Sequence, residues 1–258
     1  MFFVFSKEKI YTYLVSIVTV VLLFYIAGNI SFAKKESVEA STNAEKLLPI
    51  YNVKTEEKNV ALTMNCAWNA DDMDKILEVL KNNEVKITFF MVGDWIEKFP
   101  EYVKKINEAG HEIGSHSNTH PHVNNLNYEK NVKEIEDSND KIEKITGKRT
   151  NLYRAPYGEY NNTVIKAARD KGYFPIQWNL DTLDYTGLTG EEMWNRLNNK
   201  ISMGDIILMH NGTKHTADSL DMIIKNIKKK GFKVIPVSDL IYKENYKINS
   251  AGTQITNT

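Results

Sequence analysis

The sequence predicts an α/β protein built on a parallel sheet, and three observations carry that prediction. Short apolar strand-like runs alternate with amphipathic helical runs for about seven units. The helical runs stop at glycines such as Gly110, Gly147, Gly172 and Gly231. Polar side chains with chemical potential fall at the C-terminal ends of the strand-like runs, where both open sheets and barrels place their sites.

Taken in order, residues 60–64 read as a buried strand and 72–82 as a helix with Ile76, Leu77 and Leu80 on one face. Residues 86–92 form a second strand and 95–109 a helix closed by Gly110. A strand at 111–117 precedes the long amphipathic stretch 128–145, ended by Gly147. Residues 152–155 lead to a helix at 163–170, and a strand at 173–180 leads to a helix at 191–201. The short apolar strand 205–210, the helix 217–230 and the strand 233–237 complete a domain over 59–245. The polar residues 246–258 read as a frayed tail.

Residues 1–33 read as an export segment. Lys7 and Lys9 precede an uncharged apolar run, 11–28, close to the ~20 residues a helix needs to cross a bilayer. Its length favours an uncleaved signal anchor, which makes the membrane a partner through an N-terminal helix. The alternative is a cleaved signal peptide with Ser31-Phe32-Ala33 as processing site. Either reading puts the domain outside the cytoplasm, anchored or secreted. Lys34 and Lys35 follow the run, so the flanking charge leaves the orientation open. Residues 34–58 are polar and charged and read as a stalk.

Composition removes several function classes. Lys+Arg and Asp+Glu both number 33, and no basic patch is interleaved with aromatics, so no nucleic-acid partner is expected. Cys66 is the single cysteine, which excludes an internal disulfide framework and a zinc knuckle.

The strand ends carry Asn65, His116, Arg154, Asp181 and His210, each on a different strand. Four of the six histidines, His111, His116, His120 and His122, fall in or next to one segment. His116 and His120 stand four apart, which on a helical turn aims two imidazoles at one metal; the same spacing also serves structural pairs. Arg154 opens Arg-Ala-Pro-Tyr-Gly158, a strand entering a tight turn, and suits either an anion clamp or a surface ion pair. Asp181 and Asp184 lie beyond an apolar strand, where one orients a histidine or both cap turns. His210 ends Ile206-Ile-Leu-Met209 and reads as a general acid or as a satisfied structural residue.

Together, His116-Ser-x-x-His120, Arg154-Ala-Pro-Tyr-Gly158, Trp178-x-x-Asp181-x-x-Asp184 and Ile207-Leu-Met-His210 resemble the NodB-like polysaccharide deacetylases, the family-four carbohydrate esterases. The resemblance spans about residues 60–240. It implies a distorted (β/α) barrel, a divalent metal such as zinc or cobalt, and hydrolysis of N-acetyl groups on peptidoglycan or chitin-like polysaccharide. By the same resemblance His116 and His120 match the metal histidines, and Arg154 the arginine that supports the base. Asp181 matches the carboxylate motif that tunes the acid, and His210 the acid. Tyr157, Trp178 and Tyr185 then become candidates to stack on sugar faces, or to pack the rim.

One motif departs from the family's Thr-Phe-Asp-Asp-Gly: this chain reads Thr63-Met-Asn65-Cys66-Ala67-Trp68. Asn65 stands at the base position, and an amide takes no proton at neutral pH. Cys66 stands at the metal carboxylate. The form Cys-Ala-Trp-Asn-Ala-Asp-Asp resembles the sporulation-associated branch. Asp72 is the candidate substitute ligand, with Asp71 and a Cys66 thiolate behind it, and helix capping is the structural alternative for both aspartates. Two functions compete: a metal-dependent deacetylase, and a glycan-binding pseudoenzyme of the same fold. O-acetyl ester hydrolysis is a third.

Overall fold

The computed structural model describes residues 7, 11, 15–26 and 46–257. The chain divides into two units between Lys46 and Leu47. In the first, residues 15–26 are helical with exposed side chains; residues 1–6, 8–10, 12–14 and 27–45 of the expected export segment and stalk lie outside the described residues. Among the described residues no helix is long and apolar enough to cross a membrane.

The second unit is an α/β half-barrel. Its strands are β1 (Asn52–Val53), β2 (Asn59–Cys66), β3 (Thr88–Met91), β4 (Glu112–Ser115), β5 (Leu152–Tyr153), β6 (Phe174–Pro175), β7 (Leu180–Asp181), β8 (Ile206–His210), β9 (Lys233–Ile235), β10 (Tyr246–Ile248) and β11 (Thr253–Thr256). The main sheet runs β6-β5-β4-β3-β2-β8-β7, every pair parallel, with β9 on the first half of β2. Parallel strands need crossovers, and the helices Met73–Asn82, Tyr128–Thr146, Asn162–Asp170, Gly190–Asn198 and Thr216–Lys229 supply them.

β2 is the axis. Val60, Leu62, Met64 and Cys66 are fully buried in the apolar layer shared with Ile76, Leu80, Leu220 and Ile224 of the flanking helices. The alternate residues Thr63 and Asn65 turn to the concave face, as the two-residue period of a strand requires. The register pairs Asn65 with His210 and Leu208 with Asp181, which brings three polar strand ends to one rim.

The strand expected at 173–180 is two short pieces, β6 and β7, at opposite ends of the sheet. The four residues between them reach at most about 18 Å from Pro175 to Leu180, so the sheet must curl until its ends nearly meet. Ile176 and Gln177 make that crossing against Ile50, with Gln177 N donating to the Ile50 carbonyl at 2.7 Å. The helix expected at 95–109 is likewise broken, into Gly93–Lys98 and Pro100–Glu108. Pro100 has no N–H and disfavours a helical residue before it, and Phe99 sits at φ −132°.

The ends of the domain differ from expectation too. The last part of the expected stalk and the expected frayed tail form a small sheet in which β1 pairs with β11 and β11 with β10. Ile50 and Val53 are buried there, and Gln254 exchanges hydrogen bonds with Tyr242 N (2.9 Å) and Tyr242 O (2.7 Å). Each strand contributes one or two apolar residues among polar ones, too few for a periodicity to register.

Candidate active site

A pocket of about 390 Å³ opens at the C-terminal rim of the half-barrel, lined by Asn65, Ala67, Trp68, His116, His120, Tyr157, Trp178, Asp181, Tyr185, Leu208 and His210. Eight of the ten residues selected from the sequence line it; Arg154 lies behind it and Asp72 elsewhere. A cavity of about 440 Å³ at the opposite strand ends, beside His111, Glu112 and Lys148, lacks the converging imidazoles and aromatic rings.

Arg154 is fully buried. Its Nη1 donates to Thr63 Oγ1 (2.8 Å) and Asn65 Oδ1 (3.0 Å), and its Nη2 to the Gln177 carbonyl (3.1 Å). The guanidinium is packed 4.0 Å from the Phe90 ring centroid and 5.5 Å from that of Trp178. None of these acceptors is a carboxylate, and Nε has no partner among the described residues. Burial pushes this guanidinium down to about 9, with Asp181 pulling in the other direction.

His116 Nδ1 donates to the Arg154 carbonyl at 2.7 Å. A carbonyl only accepts, so that bond fixes the tautomer and leaves Nε2 as the lone-pair nitrogen. Burial, then the neighbouring His120, holds the His116 imidazole well below its usual range, and burial lowers His120 as well. Both rings are thus neutral at neutral pH, with centroids 5.0 Å apart. The expected helical turn is absent: residues 116–120 form a loop in which Ser117 and His120 take positive φ of 70° and 58°. Glu134, on the long helix, accepts from Ser117 Oγ (2.6 Å), Asn118 N (2.9 Å), Thr119 N (2.8 Å) and Thr119 Oγ1 (2.9 Å). The carboxylate takes up amides that a helix would have used, so two histidines four apart converge without helical backbone.

His210 is held by Asp184, not by Asp181. Asp184 is fully buried and accepts from His210 Nδ1 (2.9 Å), His210 N (2.6 Å), Thr216 Oγ1 (2.7 Å) and Tyr185 N (3.0 Å). Leu183 reaches that geometry at φ 53°. The His210 ring stacks on Trp68 at 5.3 Å and 27° and meets the edge of Tyr185 at 5.3 Å. Asp181 points into the pocket, its Oδ1 accepting from Leu183 N at 2.8 Å, and burial raises its carboxyl above the usual range. The sequence offers both aspartates to orient the histidine; the hydrogen bond is made by Asp184, while Asp181, which the family resemblance matches to tuning the acid, lines the pocket beside it. Sequence reasoning missed Trp68 as a pocket wall, although a large aromatic just beyond a strand end was visible. Glu134 gave no signal, since an acid inside an amphipathic helix looks like any solvated face.

The model of the polysaccharide deacetylase family matches residues 52–176. PdaA of Bacillus subtilis, a peptidoglycan-N-acetylmuramic acid deacetylase, is 30% identical over 80% of this chain and 80% of its own. The chain belongs to the polysaccharide deacetylase family. YlxY of Bacillus subtilis, an uncharacterized protein, is 34% identical over 79% of this chain, which spans only 64% of that relative's length. Among solved structures, BA3943 of Bacillus anthracis, described as a family-four pseudoenzyme, superposes with a TM-score of 0.72 at 34% identity, covering 74% of this chain and 68% of its own. A mutant of BA3943 with restored enzymatic activity superposes equally well, at TM-score 0.72.

Within this member of the polysaccharide deacetylase family the first motif is where side chains and expectation part. Asp72 is neither a pocket residue nor a side-chain cap. It accepts from Gly212 N at 2.8 Å and Asn211 Nδ2 at 3.4 Å, clamping the turn just after His210. Cys66 is fully buried on the helix side of β2, and burial, then Asp72, pushes its thiol up, away from thiolate chemistry. Among the described residues no group of three or more His, Cys, Asp or Glu side chains is arranged to hold a metal ion. The two neutral imidazoles, one with its tautomer fixed by a backbone carbonyl, still fit as two nitrogen ligands of a divalent ion. A third protein ligand from Asp72 does not fit.

Proposed function

We propose that this polysaccharide deacetylase acts on N-acetyl groups of a cell-wall glycan, peptidoglycan or chitin-like, as a slow hydrolase whose acid half is assembled and whose base half is not. The observation that carries the reading is His210, locked by Asp184 and facing His116 and His120 across a pocket walled by Trp68, Tyr157, Trp178 and Tyr185. With Nδ1 engaged by Asp184, Nε2 is the nitrogen that gives a proton to the leaving amine as the acetamide C–N bond breaks. Asp184 plays the orienting part, holding one tautomer and supporting the imidazolium. His116 and His120 would hold a divalent ion, zinc or cobalt, which when bound polarises the acetamide carbonyl and lowers the pKa of water. Asn65 takes no proton from that water, so the chain lacks the 10²–10⁴-fold that a positioned base typically contributes, roughly.

A second reading has its own support: a glycan-binding member without turnover. Asn65 and Cys66 favour it, and so does the likeness to a structure described as a pseudoenzyme. We also propose that the apolar run 11–28 tethers the domain at a membrane, supported by its uncharged sequence and by the exposure of residues 15–26. Acetate release from N-acetylglucosamine oligomers and peptidoglycan tests the main reading. Slow release by the wild type, abolished in His210→Ala, is expected. No release together with retained oligomer binding leaves the second reading.

A further inference from the structure

Asn-Gly occurs once in the chain, at Asn211-Gly212, directly after His210. An asparagine followed by glycine is a chemically fragile pair, because no Cβ keeps the next backbone nitrogen from reaching the carboxamide carbon. The turn after β8 needs both residues all the same. Gly212 sits at φ 70°, and a Cβ there would lie 2.9 Å from Asn69 Oδ1. Asn211 is fully buried, and its Nδ2 donates to the Asn69 carbonyl (2.5 Å) and to Asp72 Oδ1 (3.4 Å).

Three features work against attack at this pair. The first is on the nucleophile: Gly212 N donates to Asp72 Oδ2 at 2.8 Å. Stripping that proton would set an amide anion against a carboxylate, which like charges oppose. The second is on the carboxamide, whose Nδ2 is held from two sides while Asn211 N donates to the Asn65 carbonyl at 3.2 Å. The third is on the electrophile. Asn211 Oδ1 is buried and has no partner among the described residues, so no donor supports the negative charge that attack builds on it. One carboxylate, Asp72, therefore grips both nitrogens that the reaction must move.

We propose that Asn211-Gly212 is a succinimide-forming modification site that Asp72 holds closed. The inference does not depend on the glycan reading of the pocket. In the open turn, Gly212 N would bond to Asn211 Cγ while the Cγ–Nδ2 bond breaks. The amide proton leaves with Nδ2 as ammonia, and water then opens the ring at either carbonyl to give aspartate or isoaspartate. Aspartate would face Asp72 as a like charge, and isoaspartate would add a methylene to the main chain directly after His210. Asp72 thus has a task that neither metal binding nor helix capping gives it.

The test is peptide mapping by mass spectrometry of the full-length protein aged at mildly alkaline pH, with isoaspartate marked by enzymatic methylation. Asn249-Ser250, in the exposed turn between β10 and β11, serves as an internal clock. In wild type unfolded by urea, Asn211 should convert faster than Asn249, and folding should reverse that order. Folded Asp72→Asn should convert Asn211 about 10–100-fold faster than the wild type, the rate equivalent of one hydrogen bond to a charged group. Asp72→Glu, which keeps a carboxylate, should convert as slowly as the wild type. Equal Asn211 rates in wild type and Asp72→Asn overturn the proposal. A slower rate in Asp72→Asn overturns it too, because Asp72 would then be the base that drives the reaction. Rapid conversion in Asp72→Glu, or in native wild type as fast as in the unfolded chain, overturns it as well.

Discussion

Asn65→Asp should make the protein more stable, which is unusual for a change inside a site. Arg154 is fully buried with a threonine hydroxyl, a carboxamide oxygen and a backbone carbonyl as its acceptors. A buried cation with no carboxylate among its hydrogen-bond acceptors is costly, and Asp181 offsets that cost only from a distance. Exchanging the Asn65 amide for a carboxylate turns the 3.0 Å Nη1 bond into a charge-assisted one. Hydrogen bonds to charged groups contribute about 1.5–3 kcal/mol, against about 0.5–1.5 for neutral ones. Desolvating a new carboxylate at a site 4% exposed offsets part of the added Coulomb attraction, leaving a net gain of about 1–2 kcal/mol. For a domain of this size that corresponds to a rise in Tm of about 2–8 °C. Calorimetry at pH 7 on the wild type, Asn65→Asp and Asn65→Ala checks it, with Asn65→Ala expected to melt lowest. A lower Tm for Asn65→Asp than for the wild type would show that Arg154 is not short of a counter-charge, and the argument would fail.

Asp184→Asn should lower stability by about 2–3 kcal/mol, because an amide cannot accept from all four donors that converge on it; chemical denaturation reads this directly. Glu134→Ala should weaken divalent-ion binding at least about tenfold by releasing the loop that aims His120, measured by cobalt titration, and no change would mean that the loop holds itself. His111 is held down to about 4 by burial, and its Nδ1 accepts from Ile87 N at 3.3 Å. The unfolded chain therefore takes that proton first, so the stability His111 sustains is complete above about pH 6.5 and declines as pH falls towards 4. His111→Gln should flatten that slope in melts at stepped pH, and an unchanged slope would assign it to other groups.

Much of this molecule was legible because β2, β3 and β8 are buried on both faces and read as apolar runs, and because glycines punctuate the helices. The site was legible because strand ends are where a parallel sheet leaves polar side chains room to converge. What failed had local causes. The turn at 116–120 looked helical since the sequence does not reveal that Glu134, from another element, captures its amides. Asp72 looked free to reach a metal because its partners, Asn211 and Gly212, are about 140 residues away, beyond the reach of any local pattern. Asp181 and Asp184 could not be separated by spacing; Leu183 in a left-handed conformation decides which one faces His210. The terminal strands escaped notice because two- to four-residue pairings carry almost no periodic signal.

The central claim is that this pocket is a deacetylase site with its acid in place and its base missing at residue 65. Acetate release from an N-acetylglucosamine tetramer, measured side by side for wild type and Asn65→Asp with the same divalent ion present, tests it most directly. The account predicts slow release by the wild type and a gain of about 10²–10⁴-fold in the variant. Equal rates in the two proteins would show that the proton leaves by another route, and no acetate from either, with fold and oligomer binding intact, would contradict the account.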